Sequence, residues 1–272
     1  MVWVSFDPLR TLGFPDTRFL KPAQLYSQQE LLKQADRVLF PEYWQLGALL
    51  YGMQRKIFPS LPSYLIGHDK IEMTRAFTAV VPNHVPETHI AANTPEKAAE
   101  LWELMSLPFV AKIPRSAQGS GVWLVTSRAE WRAYLAATEV LYVQEYLPID
   151  RDLRVVVVGS EIIAAYWRLQ SGDGFHNNLS RGGVLDYGPV PETALQLVRD
   201  TARQLGIDHA GFDVAMVGNH PFLLEFNRLF GTAGIPGGDQ AVRTAILNYL
   251  SLDFLAVPPT GSRDEGMPRP AE

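Results

Sequence analysis

The chain has 272 residues, enough for one large or two modest domains with a substantial core. Its formal net charge of −5 disfavours general binding to nucleic-acid phosphates, and the absence of cysteine excludes disulfides and thiolate metal sites. No apolar run approaches the roughly 18 residues of a membrane span, and the N-terminus lacks a basic start. We therefore expect no membrane span and no signal peptide, and a reducing cytoplasm suits the composition.

The N-terminal part, residues 1–65, is predicted to form a short β/α unit. Its expected strands and helices are Val2–Phe6, Ser27–Ala35, Arg37–Phe40 and Trp44–Lys56. Ser27 and Glu30 have the spacing of a capping box, with Ser27 as the N-cap. Because no G-x-G-x-x-G follows the first strand, the unit lacks a dinucleotide-binding fingerprint.

The part from 66 to 257 mixes strands and helices in the manner of an α+β protein with antiparallel sheets. Its predicted helices are Asp69–Val80, Thr94–Met105, Ser127–Ala137 and Glu192–Leu205. Between them lie a strand–loop–strand segment, a strand at Leu141–Leu147 and a hairpin turning at Gly159 and Ser160. The stretch VPNHVPET is predicted to be an extended connector, and residues 258–272, rich in proline and charge, a disordered tail.

The string GFDVAMVGNHPFLLEFN predicts two short apolar strands joined by a tight turn at residues 218–220. With three residues in the turn, Val217 would face Pro221. The same register would set Asp213 opposite Glu225.

Asn227 would share the face of these carboxylates, because side chains two apart point to one side of a strand. No cation is near in sequence, so Asp213 and Glu225 would repel unless something positive lay between them. Two carboxylates and an amide suit Mg²⁺, which takes oxygen ligands. The alternative is an amphipathic hairpin whose polar face is simply solvated.

Lys112 lies in the apolar string FVAKIP, where an ammonium is costly if it is buried without a partner. The loop that follows has glycines that permit close backbone approach and an anion-binding nest, and it is not a Walker A loop. An edge lysine in solvent and an ordinary hairpin loop are the alternatives. The candidate residues of this loop are Ser116, Gln118, Gly119, Ser120 and Gly121.

Gln144, Glu145 and Tyr146 end a predicted strand, and Asp152 and Arg154 open the next. Two residues apart, Asp152 and Arg154 would share a face. They form either an exposed ion-pair cluster or a ribose-binding carboxylate beside a phosphate-binding guanidinium.

The segment GDGFHNNLSRGG is a polar, glycine-rich loop between apolar stretches. Within it, His176, Asn178 and Arg181 offer donors for an anionic group. The alternative is a mobile connector.

Taken in order, these strings resemble the ATP-grasp superfamily, and more closely the RimK-like carboxylate–amine ligases of the alpha-L-glutamate ligase type. The resemblance runs from about Ile66 to Ile235. It is carried by HDKIEMT, FVAKIPRSAQGSGV, VQEYL, DLRVVVVGSEIIAAYWR, NNLSRGG, QLGIDHAGFDV and LLEFN.

The resemblance implies an ATP-grasp fold, in which two α+β subdomains, about 83–147 and 148–257, hold ATP between them. It implies that Lys70 and Lys112 contact the phosphates beneath the 116–121 loop. Glu145 and Tyr146 would lie at the adenine and Asp152 at the ribose, and Gln144 would also belong to the nucleotide-binding residues. His176 stands where relatives often carry a phosphate-binding arginine.

By the same resemblance, Asp213, Glu225 and Asn227 would hold one or two Mg²⁺ ions, with Mn²⁺ as the alternative. Arg154, Arg181 and Asn178 would steady the carboxyl substrate and the transferred phosphoryl group. The metal-site asparagine is followed by Arg228-Leu229-Phe230-Gly231, whereas relatives usually carry a Ser-Pro-Gly-like turn, so amine specificity is not carried over.

The implied reaction phosphorylates a carboxylate with ATP, and an amine then displaces phosphate to form an amide. The expected substrates are a small-molecule or peptide carboxylate, or a protein, and an amino-acid-like amine; oligomers are compatible with this. Two alternatives remain at this point: a nucleotide-binding module without ligation, suggested by the 228–230 turn and the short N-terminal unit, and a carboxylate kinase.

Overall fold

The computed structural model describes residues 2–115, 121–169 and 184–255, with side chains as far as residue 252. The strands are β1 Trp3–Ser5, β2 Thr17–Phe19, β3 Arg37–Leu39, β4 Ile57–Phe58, β5 Thr88–Ala92, β6 Phe109–Lys112, β7 Val122–Val125, β8 Val140–Glu145, β9 Arg151–Val158, β10 Glu161–Leu169, β11 Val184–Asp186, β12 His209–Val217 and β13 His220–Asn227. The α-helices are α1 Gln29–Gln34, α2 Leu61–Ile66, α3 Lys70–Val80, α4 Pro95–Leu104, α5 Arg128–Leu135, α6 Glu192–Leu205 and α7 Gly238–Leu255.

The first sheet is parallel, with the strand order β2–β1–β3–β4. Its strands β1 and β3 were predicted, whereas β2 and β4 were not: β2 lies in a segment that was read as a proline- and glycine-broken loop, and β4 has only two residues. The predicted helix Trp44–Lys56 is confirmed only in part: a 3₁₀ turn at Tyr43–Gln45 leads into a π-helix at Ala48–Gly52, and the helical segment ends there. Two glycines, at 47 and 52, weaken a regular helix there.

The prediction of Ser27 as an N-cap is also wrong. Helix α1 begins at Gln29 after Gln28, and the Ser27 hydroxyl instead donates to the Gln24 carbonyl oxygen at 3.3 Å. A local hydrogen bond to the backbone of the preceding turn has replaced the cap.

The second sheet is antiparallel, in the order β5–β8–β6–β7, and helices α4 and α5 cover it. Both helices start where they were predicted to start: Thr94 Oγ1 accepts from Lys97 N, and Ser127 forms a capping box with Glu130. The connector VPNHVPET is only partly extended, because it contains a 3₁₀ turn at Pro82–His84. Its last residue begins β5.

The third sheet is antiparallel, in the order β11–β10–β9–β12–β13. Alternation along β9 divides its side chains between two cores. Leu153, Val155 and Val157 pack beneath α3 and α6, whereas Val156 and Val158 pack against α7 and the first sheet. By the same alternation, Asp152 and Arg154 near the start of β9 lie on the face of Val156 and Val158.

The β12–β13 hairpin turns through Gly218 and Asn219 alone, with Val217 opposite His220. The predicted pairing of Val217 with Pro221 is therefore wrong. A one-residue bulge at Leu224 then shifts the pairing of the two strands by one position. The predicted pairing of Asp213 with Glu225 is therefore confirmed.

A second bulge lies in the β9–β10 hairpin, where Ile163 has no partner. Without it, Asp152 would face Trp167; with it, Asp152 faces Arg168. Each bulge moves a charged side chain onto the polar face, because a one-residue shift exchanges the two faces of a strand.

In the parts of the chain that the structure describes, no helix combines the length and the apolar character needed to cross a bilayer. The predicted tail, 258–272, lies outside the described residues.

The buried Tyr134 hydroxyl joins two strands of the second sheet. It accepts from Tyr142 N at 2.7 Å and donates to the Lys112 carbonyl oxygen at 3.0 Å. We expect Tyr134→Phe to lower the free energy of unfolding by about 1–3 kcal/mol, because a buried N–H loses its acceptor. Urea unfolding measures this. Tyr51→Phe, at a side chain 76% exposed, is the control; equal losses in both variants would contradict the prediction.

Candidate active site

The polar face of the third sheet gathers six side chains from four neighbouring strands. They are Asp152 and Arg154 on β9, Arg168 on β10, Asp213 on β12, and Glu225 and Asn227 on β13. Five of these residues were candidates from the sequence. Arg168 was missed as a candidate, although an arginine in the otherwise apolar string AAYWRL was a signal.

Four of these side chains form a buried ion-pair network. Arg168 holds Asp152 with two bonds of 2.7 Å, from Nε to Oδ1 and from Nη2 to Oδ2. Arg168 Nη2 also lies 3.0 Å from Asp213 Oδ2, and Arg154 Nε lies 2.8 Å from Asp213 Oδ1. No side chain of the four is more than 11% exposed, so the exposed ion-pair cluster considered for Asp152 and Arg154 is wrong.

The network constrains what Asp152 can do. Both carboxylate oxygens accept bonds from Arg168, so this pair fixes the carboxylate, and only the remaining lone pairs of its oxygens could accept from a ribose. Burial raises the pKa of Asp152 despite the opposing effect of Arg168. Burial also acts to lower the pKa of Arg168, but Asp213 and Asp152 together raise it above its ordinary value.

The pair of Arg154 and Asp213 is close but poorly aligned. Arg154 Nε and Asp213 Oδ1 are both buried, and neither atom makes a hydrogen bond. The carboxylate oxygen therefore keeps a lone pair without a donor, which a cation could use. Arg154 and Arg168, which are distant from Asp213 in sequence, reach it from β9 and β10 and supply positive charge beside this carboxylate.

The three predicted metal ligands share one corner of this face. Glu225 lies opposite Asp213, and Asn227 Nδ2 lies 3.4 Å from Glu225 Oε1. Within the described ranges, no three His, Cys, Asp or Glu residues form a metal cluster, so a three-ligand set depends on the Asn227 amide. If the Asn227 side-chain amide turned over, its oxygen would point toward the carboxylates in place of its nitrogen. Asp213, Glu225 and Asn227 would then offer only oxygen ligands, which fit a hard divalent ion.

Lys112 faces this corner from the second sheet. Its Nζ donates to Gln144 Oε1 at 2.7 Å and lies 5.7 Å from the centre of the Tyr142 ring. Burial lowers the pKa of Lys112 to about 8, against the opposing effects of Glu225 and Asp213. The lysine is thus an inward-facing cation opposite the carboxylates, and the solvent-edge alternative is wrong.

Lys70 lies beside the same cleft at the start of α3. Asp69 caps this helix by accepting from Ile71 N and Glu72 N, and Lys70 N donates to the Pro114 carbonyl oxygen at 3.3 Å. This bond ties the helix to the chain leaving β6. Lys70 helps to lower the pKa of Lys112, as a neighbouring cation does.

At the end of β8, the three predicted nucleotide-binding residues differ in their surroundings. Gln144 is buried between Lys112 and Thr88, with Nε2 2.8 Å from Thr88 Oγ1. The Glu145 carboxylate accepts from Glu87 N at 2.8 Å and so secures the edge with β5. Tyr146 follows directly on the chain.

Of the loop candidates, Gly121 is the one that the structure describes. It has a φ of +74°, and its carbonyl oxygen accepts from Ile113 N at 2.8 Å, which closes the loop between β6 and β7. The other loop candidates lie outside the described residues: Ser116, Gln118, Gly119, Ser120, His176, Asn178 and Arg181.

Arg168 is predicted to be essential for stability. Arg168→Met would leave Asp152 and Asp213 short of a buried partner, and we expect a loss of about 3–5 kcal/mol in the free energy of unfolding. Urea unfolding tests this. Arg203→Met is the control, because its pair with Asp200 is on the surface. A loss at Arg168 no larger than that at Arg203 would contradict the prediction.

Comparison with known proteins agrees with this geometry. A RimK-like ATP-grasp domain matches residues 68–247. The chain is 33% identical over 158 residues to a probable alpha-L-glutamate ligase of Enterobacter sp. (strain 638), and 32% identical over 158 residues to a ribosomal protein bS6–L-glutamate ligase of Salmonella paratyphi B. Each match covers 56% of this chain and 52% of the relative, so the chain spans about half the length of the curated relatives it matches.

Solved structures show the same fold. A RimK domain ATP-grasp protein of Sphaerobacter thermophilus superposes with a TM-score of 0.70 at 16% identity, covering 92% of this chain and 99% of that one. The ATP complex of the D-alanine–D-alanine ligase of Bacillus anthracis gives 0.69 at 11% identity, covering 94% and 99%. The resemblance found from the sequence is confirmed: this chain has an ATP-grasp fold and belongs to the RimK-like ATP-grasp family.

Proposed function

We propose that this chain is an ATP- and Mg²⁺-dependent ligase that joins a carboxylate to an amine and releases ADP. The observation that carries the proposal is the charge arrangement of the cleft. Lys112 and Lys70 lie on one side, and Asp213 and Glu225 on the other, close enough for their charges to affect the pKa of Lys112. A polyphosphate bound between them would neutralise the two lysines, and a divalent ion would neutralise the two carboxylates.

The charged residues of the cleft would have two roles, phosphate binding and metal binding. Lys112 and Lys70 would neutralise phosphate oxygens, and Asp213, Glu225 and the turned Asn227 amide would hold the metal. When bound, Mg²⁺ supplies charge neutralisation and a template for the phosphates. Phosphoryl transfer needs positioning rather than a protein nucleophile, which suits a chain without cysteine.

Arg154 would steady the substrate carboxyl group. It crosses β12 over Gly211, where a Cβ atom would come within 2.5 Å of Arg154 Nη1. Its remaining contacts are long, 3.4 Å from Nη1 to the Gly211 carbonyl oxygen and 3.4 Å from Nη2 to Asp213 Oδ2. The sheet therefore orients the Arg154 guanidinium group, while these hydrogen bonds stay weak enough to be replaced by bonds to an oxyanion.

The chemistry would proceed in two displacements. A carboxylate oxygen attacks the γ-phosphorus of ATP and ADP leaves, which gives an acyl phosphate. The amine then attacks the carbonyl carbon, phosphate leaves with the bonding pair, and the nitrogen loses a proton to form the amide. Relatives named as glutamate ligases favour an amino acid as the amine and a peptide, protein or small-molecule carboxylate as the acid. We place this activity in the cytoplasm.

The assay that tests the proposal measures ADP release over a panel of carboxylates and amines. Release that requires both substrates supports a ligase. Acyl phosphate that accumulates without amide would point to a carboxylate kinase, and nucleotide binding without turnover to a binding module.

Glu225→Gln is expected to lower turnover by at least roughly a hundredfold, because it removes one carboxylate from the proposed metal site. The fold should persist, since Glu225 lies outside the buried ion-pair network. ADP release and a melting curve check the two halves of this prediction. Glu161→Gln, at an exposed hairpin end, is the matched control. Full activity in Glu225→Gln would show that the metal assignment is wrong.

Lys112 predicts a pH dependence of nucleotide binding. Its lowered pKa of about 8 means that the ammonium becomes neutral as the pH rises through that value. Because phosphates favour the charged form, binding should take up a proton near this pH. Affinity for a Mg²⁺–ATP analogue should fall by up to roughly tenfold one unit above the pKa.

Calorimetry in two buffers of different ionisation heat measures both effects. Lys112→Arg keeps its charge throughout, so the proton uptake and the fall in affinity should disappear in this variant. The same pH dependence in the arginine variant would refute the role of Lys112.

A further inference from the structure

The topology of the parallel sheet predicts a crevice at the carboxyl ends of its strands, and the proposed reaction assigns no role to it. In the order β2–β1–β3–β4, the chain leaves β1 toward one edge and then crosses to β3 on the other side. Ligands of open parallel sheets bind beyond the carboxyl ends of the strands at such a switch point. Here that position is formed by the loop after β1, which carries Asp7 and Arg10, and the loop after β3, which carries Glu42.

The backbone is strained at this crevice. Phe40, the residue directly after β3, has a φ of +48° although its side chain is bulky and buried. The conformation is held by a bond from Phe40 N to the Phe58 carbonyl oxygen at 2.6 Å and by edge-on packing of the two rings. Strain of this kind collects at ligand sites, where surrounding structure enforces it.

Arg228 enters the crevice from the third sheet. It follows Asn227 at the end of β13, and its guanidinium carbon lies 4.0 Å from the centre of the Tyr64 ring. The Tyr64 hydroxyl donates to the Pro41 carbonyl oxygen at 2.6 Å, just after β3. Tyr64 thus joins the parallel sheet to the turn after β13 and holds the guanidinium plane between them.

One guanidinium group in the crevice lacks a carboxylate partner among the described residues. In the described part of the chain, Arg228 forms no ion pair with a carboxylate, whereas Arg10 Nε is paired with Asp7 Oδ2 at 3.2 Å. Burial lowers the pKa of Arg228, and Arg10 adds to this effect while Tyr64 and Glu42 oppose it. With Arg10 paired to Asp7, the Arg228 guanidinium and the exposed Glu42 carboxylate remain, and together they suit a ligand that is anionic at one end and cationic at the other.

We propose that Arg228 recognises the α-carboxylate of an amino-acid amine substrate, in a crevice completed by Arg10, Tyr64 and Glu42. The inference deepens the proposed ligase function and rests on it. The planar fork of Arg228 matches a carboxylate with two parallel bonds. Since Arg228 follows Asn227 directly, an amino acid held there lies at the end of the strand that carries the proposed metal ligands, with Glu42 beside it to favour a zwitterion over a dianion.

The test is a binding comparison that does not require turnover. Each standard L-amino acid and its α-carboxamide are titrated into the full chain with a non-hydrolysable Mg²⁺–ATP analogue and followed by saturation-transfer NMR. We expect at least one free amino acid to bind more tightly than its carboxamide by roughly tenfold or more. Arg228→Gln should bring that ratio close to one, whereas Arg203→Gln, on the exposed face of α6, should leave it unchanged.

Arg228→Lys provides a second variant if the glutamine variant has a lowered melting temperature. It keeps the charge but loses the two-bond geometry, so part of the carboxylate preference should remain. The inference is overturned if no amino acid is preferred to its carboxamide, or if the preference survives in Arg228→Gln.

These outcomes are separate from those of the ligase assay. A carboxylate preference that depends on Arg228, found without ADP release from any acid–amine pair, would refute the ligase proposal and leave the binding assignment standing. ADP release that is equally fast with amino-acid carboxamides would keep the ligase and overturn the role of Arg228.

Discussion

Two aspartates and two arginines, buried together beneath the cleft, are the interaction on which the polar face depends. Each carboxylate has been removed from water, and it is compensated because Arg168 bridges Asp152 to Asp213 while Arg154 approaches Asp213 from the other side. Removing one member would leave an unpaired buried charge. The network therefore fixes the positions of Arg154 and Asp213 before any ligand binds, and preorganisation of this kind lowers the cost of binding.

The polar face depends on one extra residue in each of two hairpins, and the ion-pair network depends on the one in the β9–β10 hairpin. Ile163 and Leu224 have no partners, and each shifts its strand by one position. Without these bulges, Arg168 and Glu225 would belong to the opposite faces of their strands, among the apolar side chains. The bulges thus convert ordinary amphipathic hairpins into a surface with converging charges.

The two cation groups around this surface have different tasks in our proposal. Lys112 and Lys70 face the proposed metal corner from the second sheet and suit phosphates. Arg228 and Arg10 lie in the crevice at the carboxyl ends of the parallel strands and suit a carboxylate. The proposed metal ligand Asn227 stands between the two, so a phosphorylated acid and an incoming amine would meet where the three sheets approach one another.

The sequence by itself determined the family, the α+β class and the helices that begin after Thr94 and Ser127, because these follow from local patterns and ordered motifs. The pairing of Asp213 with Glu225 was predicted from a three-residue turn, but it arises from a two-residue turn and a bulge. Tertiary structure alone decided the remainder. The bulges, the partnership of Arg168 with Asp152 and the stacking of Arg228 on Tyr64 join residues distant in the chain or shift a register by one position. Hydrophobic periodicity predicts neither a one-position register shift nor a contact between residues distant in the chain, because both depend on how the sheets pack together.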